Sequence, residues 1–215
     1  MSTTSDTVLD RGAAVTRSML GWGVVAGPFY LIFGLILAVT RPGFDLSRDA
    51  LSILLLGDSG WMQALNLVLS GLMTIVAAIG LRRTPAWSRV AAVLVGIFGA
   101  ALIASAFAAP DRPGGGTASV SGLLHLAFGA IGFLCLAAAA IIAARWFRSR
   151  GARGASLSIA AGVVIVVTFV VGGALSQTAW GVGLLWIAVI AGWVWLALSC
   201  VAAYRAVPHP LLSRR

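Results

Sequence analysis

The chain contains no lysine and no glutamate, and it has only two histidines and two cysteines. Each absence removes a class of chemistry. A zinc-protease helix needs paired histidines with a glutamate, so that motif is excluded. Bis-histidine haem ligation needs a second intramembrane histidine. His209 sits in a terminal Pro-His-Pro segment, which leaves His125 alone. Cys135 and Cys200 both fall within apolar runs, so there is no disulfide framework and no zinc spacing. They read as packing residues. No Walker or Rossmann glycine pattern follows a strand. The expected inventory is therefore no catalytic set, no metal and no cofactor.

What is present is apolar length. Of 215 residues, 60% are hydrophobic and 10% charged, with a mean hydropathy of +1.01, which places the chain in the membrane class. Six runs, at 18–40, 61–81, 90–109, 120–144, 157–175 and 184–204, approach or exceed the roughly 20 residues that a helix needs to cross a bilayer. None alternates apolar and polar residues as a barrel strand would. The predicted fold is all-α, a polytopic bundle of six transmembrane helices at 18–204 between cytoplasmic tails at 1–17 and 205–215. The first 17 residues read as a frayed tail. The first span exceeds a signal-peptide core and lacks a small-residue cleavage site, so it reads as retained.

All the basic charge is arginine. Arg11 and Arg17, then Arg82, Arg83 and Arg89, then Arg145, Arg148, Arg150 and Arg153, then Arg205, Arg214 and Arg215 fall on the side of the termini, twelve in all. Only Arg41, Arg48 and Arg112 fall on the other side. The positive-inside rule makes both termini cytoplasmic, and the expected location is a plasma (inner) membrane. Short juxtamembrane clusters suit orientation and lipid headgroups, so nucleic acid is not an expected partner.

Between the first two spans, residues 41–66 hold three of the six aspartates, Asp45, Asp49 and Asp58. Pro42-Gly43 signals a turn, and Asp45 or Ser47 could cap a short interfacial or re-entrant helix reaching Leu56, with Arg48 and Asp49 on its wet side. The second span then carries Gln63, Asn66, Ser70 and Thr74 at spacings of three, four and four, a single polar stripe that must turn away from lipid. In the fourth span Ser121, His125, Gly129 and Gly132 share a face. Gly23 with Gly27, Ala92 with Gly96, and Ser158 with Gly162 are small-xxx-small pairs for close helix packing. A turn at 107–116 carries Asp111 and Arg112 before three glycines and reads as a flexible loop.

These residues converge on one candidate site, an outward-facing polar pocket of Gln63, Asn66 and His125 beneath Asp45, Asp49 and Asp111. Ionisable groups at membrane depth are functional candidates by default. The pocket would bind or move a small or lipidic ligand. Two alternatives use the same residues. In one, the stripe is helix-to-helix glue in an accessory or scaffolding protein that packs against a membrane partner or a second copy of itself. In the other, His125 serves a membrane enzyme with an outer aspartate, which requires a metal or an activated water. A Ser121 nucleophile one turn from His125 lacks an orienting acid and oxyanion donors. Membrane lipids are partners in every reading.

In RPGFDLSRDALSILLLGDSGWMQALN, with Gly-Phe-Asp, Ser-x-Leu-x-x-Gly and Gly-Trp-x-Gln-x-x-Asn, and in Phe107 to Asp111 followed by Gly122-Leu-Leu-His125, the chain resembles a bacterial membrane family known as domain of unknown function 998. The resemblance covers spans one to four, and the last two by hydropathy. Where that family tends to a Phe-Pro-x-Asp turn, this chain has Phe107-Ala-Ala-Pro-Asp111. The resemblance implies a six-span fold and no activity.

Overall fold

The computed structural model describes residues 7–112, 114 and 117–213. The tail 1–6, the loop residues 113, 115 and 116, and Arg214 and Arg215 lie outside the described residues, and with them part of the expected flexible loop. Six helices carry the fold: α1 Arg11–Thr40, α2 Gly60–Arg83, α3 Arg89–Ala106, α4 Val120–Arg148, α5 Ala152–Ala174 and α6 Ala179–Ala206. Each is long and apolar enough to cross a membrane, and the protein is a multi-pass membrane protein.

Several helices outrun the apolar runs, with α1, α4 and α5 growing mainly at the arginine end. α1 starts at Arg11 because Asp10 caps it, its carboxylate accepting from Ala13 N at 3.0 Å. At 30 residues it is about 45 Å long, well beyond a bilayer core. Ser88, Ser119 and Thr178 cap α3, α4 and α6 in the same way. Just before α1 a strand β1, Thr7–Leu9, pairs antiparallel with β2, Leu211–Ser213, after α6. The expectation of a frayed tail is thus corrected at residues 7–17, which are strand and helix. Polar tail composition hid this because a two-stranded pairing draws its hydrogen bonds from the backbone.

Each helix packs on the next in sequence, and α6 closes on α1. Two close approaches set the spacing. A Cβ at Gly71 would lie 2.5 Å from Gly99 O, and one at Gly99 would lie 2.7 Å from Gly71 O, so α2 and α3 touch backbone to backbone. Gly23 and Gly27 on α1 receive Cys200 and Trp193 of α6, with a Cβ at Gly27 placed 2.8 Å from Trp193 Cβ. Gly96, by contrast, only meets Ala78 at 3.7 Å. At the end bearing the termini, the Trp87 and Trp146 rings meet at a tilt with centroids 4.6 Å apart and Trp146 Nε1 donates to Pro85 O at 3.1 Å, pinning the α2–α3 turn to α4. Trp61, Phe107 and Trp180 stand exposed at the opposite end, as an interfacial aromatic belt does.

The first loop is less regular than its sequence suggests. Instead of a helix from Asp45, it forms a turn and then a five-residue 3-10 helix, Leu51–Leu55, with Leu51 and Leu54 buried. Asp45 caps only a local turn, accepting from Ser47 N at 2.9 Å and Ser47 Oγ at 2.7 Å. Two long side chains hold the segment down. Arg41 donates from Nη1 to Leu54 O at 2.9 Å and from Nη2 to Leu56 O, and Trp186 Nε1 on α6 donates to Leu46 O at 3.3 Å.

Candidate functional site

The polar stripe of α2 turns inward as its period requires. Gln63, Asn66, Ser70 and Thr74 are all fully buried. They form one chain of bonds. Thr74 Oγ1 donates to Ser70 O at 2.8 Å, Ser70 Oγ donates to Asn66 Oδ1 at 3.4 Å, and Asn66 Nδ2 donates to Gln63 Oε1 at 3.2 Å and to Tyr30 O of α1 at 3.1 Å. The last amide in the chain is incomplete. Gln63 Nε2 is buried and has no partner among the described residues. Reversing the Gln63 amide would set its NH2 against the NH2 of Asn66, two donors face to face, so the network orients the free donor away from Asn66. Leaving such a group unpaired costs about 1–3 kcal/mol.

Gln63 borders a cavity of ≈ 380 Å³ lined by all six helices and the Leu51–Ile53 segment. Its wall is mainly apolar, with Leu67, Leu102, Leu126, Phe133, Phe169 and Val182 among its residues. Tyr30, Trp193, Phe98, Phe133 and Phe169 make successive ring contacts of 4.6 to 5.7 Å across five helices, and Tyr30, Phe133 and Phe169 of this series line the cavity. Polar groups gather at the loop end: Arg48, Ser105, Asp111, His125 and Gln177. Gln63 itself has no solvent-accessible surface.

His125 lines this cavity, and its Nδ1 lies 2.7 Å from Ala108 O. A carbonyl accepts only, so Nδ1 carries the proton and Nε2 is left as the free ring nitrogen. One turn earlier Ser121 Oγ donates to Ala109 O at 2.9 Å. Ser121 and His125 are each committed to a loop carbonyl and not to each other. Asp111 completes the stitching by accepting from Ser119 N at 2.9 Å at the start of α4, where the helix N-terminus favours an anion. Hydrogen bonds from Ser119, the side chain before the backbone, hold the Asp111 carboxyl below the usual carboxylate range. A Cβ at Gly122 would collide with that carboxylate, so glycine is required there.

The six residues singled out in the sequence are therefore divided. Gln63, Asp111 and His125 line the cavity. Asn66 does not, since it lies one turn deeper and its amide is spent on Tyr30, Gln63 and Ser70. Asp45 faces solvent 3.9 Å from Arg48 Nε, and the Ser47 hydroxyl and amide hold its carboxyl below the usual range. Asp49 accepts from Asp45 N at 2.9 Å and lines a separate outer groove with Arg41, Arg48 and Arg112. No group of three or more His, Cys, Asp or Glu among the described residues is placed to hold a metal. The cavity residues that sequence reading missed are Ser105, Phe133, Phe169 and Trp186. Their helices carry apolar residues on every side, so periodicity could not separate a lumen face from a lipid face.

A family model described as "Protein of unknown function (DUF998)" matches residues 24–202 of the chain, from α1 into α6. No curated protein and no solved structure matches it.

Proposed function

The chain belongs to the DUF998 family, whose description assigns no activity, and from that premise we propose that it binds an amphiphilic, lipid-like ligand in the six-helix cavity. The observation that carries this reading is the buried, unpartnered Nε2 of Gln63 at an otherwise apolar wall. A pocket of a few hundred Å³ with few convergent polar groups is the usual form of a small-molecule site. An acyl chain fills the apolar depth while a carbonyl, ether or hydroxyl oxygen accepts from Gln63. His125 Nε2, Ser105 and Asp111 meet the polar end. Asn66 serves by holding the Gln63 amide in one orientation, and Asp45 and Asp49 set the charge of the outer approach.

Twelve arginines at the end bearing the termini support a bacterial plasma-membrane location with those termini cytoplasmic, which turns the cavity outward. The ligand then enters from the outer leaflet or the outer aqueous side.

The test is native mass spectrometry of wild type and Gln63→Leu after gentle extraction. Leucine keeps the volume and removes the orphaned donor, together with the oxygen that accepts from Asn66. An amphiphile retained by the wild type and lost from an equally stable Gln63→Leu protein is the expected result. Equal retention by both sinks the reading.

A further inference from the structure

The outer groove beside the cavity identifies the ligand's charge. All three arginines that precede or follow helices at this end of the chain, Arg41, Arg48 and Arg112, line one groove of ≈ 510 Å³. They come from two different loops, with Arg41 and Arg112 71 residues apart in sequence, and Gln177 joins them from the α5–α6 loop. Asp49 is the only carboxylate among the lining residues, so the groove carries a surplus of two positive charges. Arg41 spends two of its donors on the carbonyls of Leu54 and Leu56. Arg48 is 79% exposed and has only the 3.9 Å contact to Asp45. Arg112 makes no hydrogen bond or ion pair among the described residues, so two guanidinium groups stand ready for an anion.

The groove adjoins the cavity. Arg48, Ile53, Ser176 and Gln177 line both. An apolar chamber beside a cationic groove matches a molecule with a tail and an anionic head. The cavity's ≈ 380 Å³ holds on the order of a dozen water-sized groups at about 30 Å³ each, which suits one acyl chain. Resting on the ligand-binding reading above, we infer that the ligand is an anionic single-tail amphiphile, whose phosphate or carboxylate is held by Arg48 and Arg112 while its chain occupies the cavity. Guanidinium forks bind such oxyanions bidentately.

The experiment titrates the full-length protein, in a neutral detergent, with dodecyl phosphate, with uncharged monododecanoylglycerol, and with inorganic phosphate alone. Wild type is expected to prefer dodecyl phosphate to the neutral amphiphile by about tenfold, a gap typical of a charge-assisted contact, and to lose that preference as salt rises. Arg48→Gln with Arg112→Gln should erase the preference by bringing the affinity for dodecyl phosphate down to that for the neutral amphiphile. Arg48→Lys with Arg112→Lys should recover part of it. Parity between the two amphiphiles in wild type overturns the charge assignment and leaves the cavity reading standing. Binding of neither amphiphile overturns both. Inorganic phosphate bound as tightly as dodecyl phosphate, or a lysine pair no better than the glutamine pair, also overturns the inference.

Discussion

Asn66 Nδ2 lies 3.2 Å from Gln63 Oε1 and 3.1 Å from Tyr30 O, so a single amide ties α2 to α1 and fixes the direction in which Gln63 points. Asn66→Ala removes these bonds, strands a buried Gln63 oxygen, and should cost about 2 kcal/mol, given about 1 for an average bond and more for an orphaned partner. For a chain of this length the loss is expected to lower Tm by about 4–8 °C. Thermal unfolding in detergent checks it, and an unchanged Tm would show that the network contributes nothing to stability.

Gln63→Leu should cost less in the same assay. It deletes a donor that has no partner together with the oxygen that accepts from Asn66, two effects of opposite sign, so the empty protein should lie within about 1 kcal/mol of wild type. A drop as large as that of Asn66→Ala would mean that relieving the Gln63 Nε2 donor contributes nothing.

Gly71→Ala should destabilise by about 1–3 kcal/mol, the usual cost of overpacking, because its Cβ would lie 2.5 Å from Gly99 O, a backbone atom that cannot swing away. Gly183→Ala is the control. Nothing lies within 4 Å of a Cβ there, and the loss of unfolded-chain freedom should leave stability equal or slightly higher. Paired Tm measurements on the two variants separate helix contact from glycine propensity.

The Asp111 junction has a predictable pH dependence. Its carboxyl titrates below its ordinary value of 3.8 because the folded state bonds the anion. The unfolded chain therefore takes up the proton first as pH falls, and the stabilisation is fully present above that ordinary value and disappears through the lower folded-state pKa. Amide exchange at Ser119 should rise below pH 4 in wild type, whereas Asp111→Asn should exchange faster at neutral pH and show no such step. A flat wild-type profile would contradict the assignment.

His125→Ala should loosen the loop it holds. With the Nδ1 bond to Ala108 O gone, Ala108, Ala109 and Asp111 are expected to exchange amide protons faster while the helices stay protected. If the loop is unaltered and ligand binding alone falls, His125 acts through its free Nε2.

The number of spans, their helical character and the inward turn of Gln63, Asn66, Ser70 and Thr74 were all legible in the sequence. The reason is that hydrocarbon leaves few options. A backbone in lipid must bond within itself, and a polar stripe at helical spacing has nowhere to go but the interior. Gly23 and Gly27 could be read as a contact face for the same cause, since only small residues let two helices touch. The arginine bias followed from charge alone.

The partition of the candidate residues required the tertiary structure. Spacing puts Gln63 and Asn66 on one face but does not say which amide spends all its bonds. Asn66 meets a carbonyl of α1 that is 36 residues away in sequence, and that contact leaves Gln63 with the free donor. Asp45 and Asp111 look alike as loop aspartates, yet one closes its own turn and the other crosses to the start of α4. The gathering of Arg48 and Arg112 from separate loops is likewise a property of the closed helix ring. Local pattern determines which face a residue takes, because helix geometry is local. What that face meets depends on which helices become neighbours, and here it was settled by the backbone contact of Gly71 with Gly99 and the closure of α6 on α1.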